Sequence, residues 1–205
     1  KLIEKLEFIR ETVINEHKSL FLDKLDELID KVKIFGYHFA TLDIRQDSRI
    51  HSKVFEEIFK KAFSKEFPDN YSILSEVKKI KILSKLKGKK INKIKFDDAL
   101  VNSTIESIGA MKTIQKSNGE KGCHRYIISN NQTAVNILEV FTMFKLCEWE
   151  NPTVDIVPLF ETINDLDVCS DVMEVVYNNK DYRSHLKLRN DTQVIMLGFS
   201  DGTKD

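Results

Sequence analysis

Two carboxylates close short apolar runs in this chain. Glu161 ends Val154-Asp155-Ile156-Val157-Pro158-Leu159-Phe160, and Asp201 follows Val194-Ile195-Met196-Leu197-Gly198-Phe199-Ser200. An apolar run that stops at a charged residue is the pattern of a buried parallel strand whose C-terminal end delivers a functional group. Two such carboxylates on neighbouring strands can share one divalent cation, and oxygen ligands suit hard ions such as magnesium or manganese. Strand-end carboxylates also cap helices and accept backbone N–H groups, so the pattern alone leaves both roles open.

A third run, Phe35 to Ser48, carries Leu42-Asp43-Ile44-Arg45-Gln46-Asp47. Arg45 brings a planar fork that binds phosphate bidentately; the competing role is an ion pair with Asp43 or Asp47. Asp43 lies two residues before Arg45 and so shares its side of a strand, which suits a supporting role. Ser129, with Asn130 and Asn131, ends another apolar run, and its expected role is to cap the helix that follows. The five histidines are scattered singly, with no Cys or carboxylate in a nucleophilic arrangement. His38 and His124 are read as structural residues, His38 within a strand and His124 just before one.

These groups need a frame to hold them. Residues 1–34 show apolar positions at helical spacing (Leu2, Leu6, Ile9, Val13, then Leu22, Leu25, Leu28, Ile29, Val32), which predicts two amphipathic helices closed by Gly36. A strand is expected over His38 to Arg45, then a helix capped by Ser48 and running to about Phe63. Residues 67–96 contain nine lysines between Lys78 and Lys95. They are read as a helix near Tyr71 to Leu86 with a polar loop; the functional reading of the run is a phosphate or nucleic-acid contact, and the preferred one is a solvated surface, because it lacks the interleaved aromatics of a single-strand nucleic-acid stripe. A long helix from Asp97 to Lys116, a strand over Arg125 to Ser129, a helix from Asn131 to Cys147, the strand at Val154, helices from Asn164 to about His185 and the strand at Val194 complete the order. Strands alternating with helices at this spacing give a parallel sheet with crossover helices.

Composition narrows the class. With 205 residues and 41% hydrophobic content, the chain can bury one core. Thirty-two basic and 32 acidic residues cancel, so no overall field favours nucleic acid or a membrane surface. Cys123, Cys147 and Cys169 lack zinc or disulfide spacing and read as free buried thiols. No apolar stretch approaches the roughly 18 residues of a membrane helix, and the first residues lack a signal core. The expected location is cytoplasmic.

In order along the sequence stand Leu42-Asp43-Ile44-Arg45-Gln46, Gly122-Cys123-His124-Arg125-Tyr126-Ile127-Ile128-Ser129-Asn130, Leu159-Phe160-Glu161-Thr162 and Ser200-Asp201-Gly202-Thr203-Lys204-Asp205. From about Phe35 onward the chain resembles phosphoenolpyruvate carboxylase in all four segments. The resemblance implies an α/β fold of the (β/α)8 TIM-barrel type, here a partial barrel of about four parallel strands with large helical insertions, mostly helical overall. Residues 1–34 would be a helical lead-in to a single domain over 1–205, a piece of the catalytic barrel. Since a closed barrel has eight strands, the expectation is an excised fragment of a longer enzyme.

The resemblance also implies chemistry. The family makes oxaloacetate and phosphate from phosphoenolpyruvate and bicarbonate with Mg2+ or Mn2+. Glu161 and Asp201 match its metal ligands, Arg45 matches an arginine that holds the substrate phosphate, and Lys204 matches a catalytic lysine. Gly202 and Thr203 stand where serine and alanine are commoner, a small change to the loop. The family's catalytic histidine, its glycine-rich arginine loop and its C-terminal inhibitory site have no counterpart in these residues, so no carboxylase activity is expected from the chain alone. The parent enzyme is expected to be a homotetramer. The fragment, with two sheet edges and an apolar inner face left open, is expected to self-associate. The alternative is a non-catalytic metal- and phosphate-binding half-barrel, a module or remnant. A barrel aldolase-like lyase is a third class, which leaves Arg45-Gln46-Asp47-Ser48 unexplained.

Overall fold

The structure is a computed structural model that describes residues 1–36, 38–67, 70–91 and 94–198. Four strands form one sheet: β1 (Asp43–Asp47), β2 (Arg125–Ser129), β3 (Asp155–Phe160) and β4 (Met196–Leu197). All pair in parallel, and their order across the sheet is their order along the chain. Each crossover therefore moves one place in the same direction, the progression that builds the arc of a barrel. The molecule is a partial (β/α)8 barrel with helical insertions.

Three helices, α3 (Ser48–Ala62), α4 (Glu76–Lys85) and α5 (Ala99–Asn118), lie between β1 and β2. One, α6 (Ala134–Leu146), joins β2 to β3. Two, α7 (Ile163–Asn178) and α8 (Lys180–Leu188), join β3 to β4. Period-two alternation sends Tyr126, Ile128, Ile156 and Phe160 to the outer face of the sheet. There they join Phe55 and Phe59 of α3, Ile108 of α5 and Phe144 of α6 in one buried cluster. The inner face carries a separate cluster of Ile127, Val157 and Leu159, with Val194 packed against it.

The lead-in is a hairpin of α1 (Leu2–Glu16) and α2 (Leu22–Phe35). Arg10 bonds Asp26 at 2.6 Å and Lys33 bonds Glu7 at 2.8 Å, a pairing that runs the two helices antiparallel. Leu6 and Ile29 are buried, but Phe8, Phe21 and Ile34 are each about 70% exposed.

Several expectations need correction. β1 begins at Asp43, not His38, because Phe39 sits in the left-handed region (φ 63°) and Leu42 donates to the Gly122 carbonyl before strand pairing starts. His38 is accordingly in a turn. The cap of α3 is Asp47, which accepts from the Arg49 N–H at 2.8 Å, and Ser48 is the first helical residue. Helix α6 is capped by Thr133 with Asn136 in a reciprocal box, not by Ser129. The strand expected at Val194 shortens to Met196–Leu197. The helix expected over 71–86 divides into a 3-10 turn at Tyr71–Ile73 and α4.

The inner apolar face is also less open than expected, since Ile127, Val157 and Leu159 are buried, while the β4 edge stays exposed at Met196 and Leu197. In the lysine-rich segment Lys87 pairs with Asp181, Lys89 with Glu66 and Lys90 with Glu148. The three cysteines are free thiols, Cys123 buried and the other two half-buried. Burial pushes the Cys147 thiol up to about 12 and raises that of Cys123 as well. No described helix is long and apolar enough to cross a membrane.

Candidate functional site at the C-terminal ends of the strands

Parallel strands present their C-terminal ends on one side, and two of the predicted groups, Arg45 and Glu161, meet there. Arg45 lies in register with Ile127 of β2, and Ile127 with Val157 of β3. Four residues beyond Val157, Glu161 projects from the end of β3. The Arg45 Nη2 donates to Glu161 Oε1 at 2.9 Å, joining positions 116 apart in sequence. The arginine's partner is therefore neither Asp43 nor Asp47. Asp47 is held by Arg49, whose Nε and Nη2 donate to it at 2.9 and 2.6 Å. That contact keeps the Asp47 carboxyl below the usual carboxylate range. Asp43 is exposed, as Arg45 is, in keeping with a shared face.

The second oxygen of Glu161 accepts the Asn130 N–H at 2.9 Å. Asn130 is in the left-handed region (φ 53°), a conformation that Asn tolerates better than most residues. Its carbonyl takes the Ser48 hydroxyl at 2.6 Å. A chain of contacts thus runs from the first turn of α3 through the β2 terminus to Glu161. The backbone of Glu161 is fixed separately. Asp165 Oδ2 accepts the N–H groups of Glu161 at 3.3 Å and Thr162 at 3.0 Å, while the Thr162 hydroxyl accepts the Asp165 N–H. The Asp165 side chain is buried, and the two backbone N–H groups its carboxylate accepts account for that.

β4 closes against the same point. The Gly198 N–H donates to the Phe160 carbonyl at 2.8 Å. A Cβ at Gly198 would stand 2.8 Å from Glu161 Cα and 2.9 Å from its carbonyl oxygen, so only glycine fits. Beside this junction Asn131 is fully buried, and both of its amide atoms lack a partner in the structure.

Arg45 and Glu161 are thus brought together; Asp201 and Lys204 lie outside the described residues. Among the described residues no group of three or more His, Cys, Asp and Glu side chains could hold a metal ion. Glu161 is nonetheless the kind of donor a hard cation takes, a half-buried carboxylate fixed at its backbone by Asp165 and at its two oxygens by Arg45 and Asn130. Sequence reading missed Asn130 and Asp165 as positioning residues. The T-x-x-D spacing of Thr162 and Asp165 is the available signal, because it is a capping box.

A parallel sheet that advances one place per crossover, with an arginine and an anchored carboxylate at its C-terminal ends, places the chain in the (β/α)8-barrel class. The family model for phosphoenolpyruvate carboxylase matches residues 1–205. Relatives named phosphoenolpyruvate carboxylase include that of Gloeobacter violaceus, 34% identical over 190 residues, covering 88% of this chain and 20% of its own length. That of Nitrosomonas europaea is 34% identical over 203 residues, with 94% and 22% covered. That of Corynebacterium diphtheriae is 34% identical over 191 residues, with 89% and 21% covered. The chain belongs to the phosphoenolpyruvate carboxylase family, and it spans about one fifth of the length of these relatives.

Proposed function

We propose that the chain is the part of a phosphoenolpyruvate carboxylase that supplies one side of the catalytic mouth. The whole enzyme then converts phosphoenolpyruvate and bicarbonate to oxaloacetate and phosphate in the cytoplasm. The observation that carries this is the meeting of Arg45 and Glu161 at the strand ends. One Arg45 nitrogen is engaged by Glu161, which leaves the other donors of the fork for a substrate phosphate. Glu161, with Asp201, would hold Mg2+ or Mn2+, which supplies Lewis-acid polarisation of the substrate oxygens. Asn130 and Asp165 keep the Glu161 carboxylate from turning away, so its charge is in place before substrate arrives. Lys204 is assigned an ammonium beside the same mouth.

On this reading the 205 residues alone have no turnover, since the described residues carry four strands of the eight a closed barrel needs. The whole enzyme is a homotetramer. The fragment self-associates through the exposed β4 edge and the apolar α1–α2 hairpin; a clean monomer in light scattering at high concentration would remove that clause. The main test is oxaloacetate formation by the full-length protein containing this chain. Glu161→Ala should abolish it, and Cys169→Ser should leave it unchanged. Normal turnover in the Glu161 variant would refute the assignment. Binding of Mn2+ to that protein, read by electron paramagnetic resonance, should be lost with the same variant.

A further inference from the structure

Beside the mouth, on the far side of Ser48 and Asn130, lies an open pocket of about 450 Å³ between the first turns of α3 and α6 and the α4 segment. Its wall carries three cations, Arg49, Lys53 and Lys79, against one carboxylate, Glu56. Glu56 is already engaged by Lys60 and the Ser72 hydroxyl. Arg49 is paired with Asp47 and Lys53 with Asp98. Lys79 differs. It is half-buried, its ammonium lies 5.2 Å from the Tyr71 ring centroid, and among the described residues no carboxylate stands within ion-pair distance of it. The pocket therefore holds one cation without an ion-pair partner among the described residues, in a wall of hydroxyl and amide groups.

The corner beside the pocket shows how an oxyanion is held here: the Ala134 N–H, at the start of α6, donates to a Glu76 carboxylate oxygen at 3.1 Å. Under the floor, the fully buried Glu139 carboxyl takes the Ser52 hydroxyl at 3.1 Å and has its other oxygen unpartnered. Burial pushes that carboxyl up to about 7, despite the pull of Tyr71, Ser52 and Lys79, so through the weakly acidic range it does not cancel Lys79.

We propose that this pocket binds an oxyanion of the phosphate class, with Lys79 as the charged anchor and Arg49 as a second donor. It is separate from the Arg45–Glu161 mouth but joined to it, because Ser48 lines the pocket and donates to Asn130, whose N–H holds Glu161. The volume admits a small phosphate monoester as well as free phosphate.

Isothermal titration of the full-length protein containing this chain with inorganic phosphate at low ionic strength tests the site. Saturable binding is expected, weakened about tenfold by Lys79→Met and about threefold by Arg49→Ala, as loss of charge-assisted bonds requires. Arg45→Ala should leave the Lys79-dependent binding in place and remove at most a separate event at the mouth, so the result stands apart from the reading of the mouth. Tighter binding of glycerol phosphate than of inorganic phosphate would assign an organic phosphate, and the reverse order free phosphate. If Lys79→Met fails to unfold cooperatively, the exposed Arg49 variant carries the test. Absence of saturable binding, or binding lost with Arg45→Ala and retained in both pocket variants, would overturn the proposal.

Discussion

The two faces of the sheet are built on different terms. The outer face is covered by helices from every crossover, and its residues Tyr126, Ile128, Ile156 and Phe160 belong to a cluster that reaches Tyr71, Trp149 and Tyr182. The inner face buries only Ile127, Val157 and Leu159 and then gives way, at the strand ends, to Arg45 and Glu161. Burial at roughly 25 cal/mol per Å² makes the outer face the main source of stability. The inner face instead holds charges that water partly reaches, and an exposed pair such as Arg45–Glu161 contributes only about 0–1 kcal/mol. In β2 and β3 one side carries the larger core, and the other, beyond a small apolar cluster, leads to the charged strand ends.

That contrast can be broken in steps. Phe160→Ala should cost about 4 kcal/mol and Leu159→Ala, its neighbour on the other face, nearer 2 kcal/mol, both read by urea unfolding. Equal losses would erase the distinction between the faces.

Glu139 sharpens it, as a carboxyl placed on the helix-covered side. Its folded pKa of about 7 stands above the ordinary 4.5. Its neutral form is therefore favoured in the folded state, and the associated stability is complete below the unfolded value and lost as pH rises through the folded one. Glu139→Gln should match the parent near pH 4 and exceed it by about 3 kcal/mol above pH 7. A pH-independent difference would show that the carboxyl is not buried as described. Buried His51 and His185 act in the opposite sense in both proteins. Burial lowers them to about 3 and about 4, so their contribution fades as pH falls below 6.5. They cancel in the comparison.

The smallest stability effect is expected at the mouth itself: Arg45→Ala should shift unfolding by under about 1 kcal/mol. A loss as large as that of Phe160→Ala would mean that the arginine is a structural strut.

What could be read from the sequence follows the same division. The β2 and β3 strands, α5, and the α7–α8 pair were legible because apolar periodicity encodes the face that packs. The approach of Arg45 to Glu161 was foreshadowed only as two strand ends at one side; their direct contact depends on register between strands far apart in sequence. Phe39 and Asn130 were opaque for another reason. A left-handed backbone at a non-glycine residue is imposed by tertiary contacts and leaves no periodic trace. Lys79 was hidden within a lysine-rich run, where composition argues for solvent and only packing against Tyr71 distinguishes one ammonium from the others.

The approach of Gly198 to Glu161 makes that glycine a mechanical control point. Because the obstruction is backbone on backbone, no rotamer change can relieve it, and Gly198→Ala would act as a wedge that prises β4 from β3 at the residue where the carboxylate begins. Such a variant leaves every charged group chemically intact. It would therefore separate what the mouth owes to its ionisable residues from what it owes to the seating of its fourth strand, the strand from which the sequence runs on to Asp201 and Lys204.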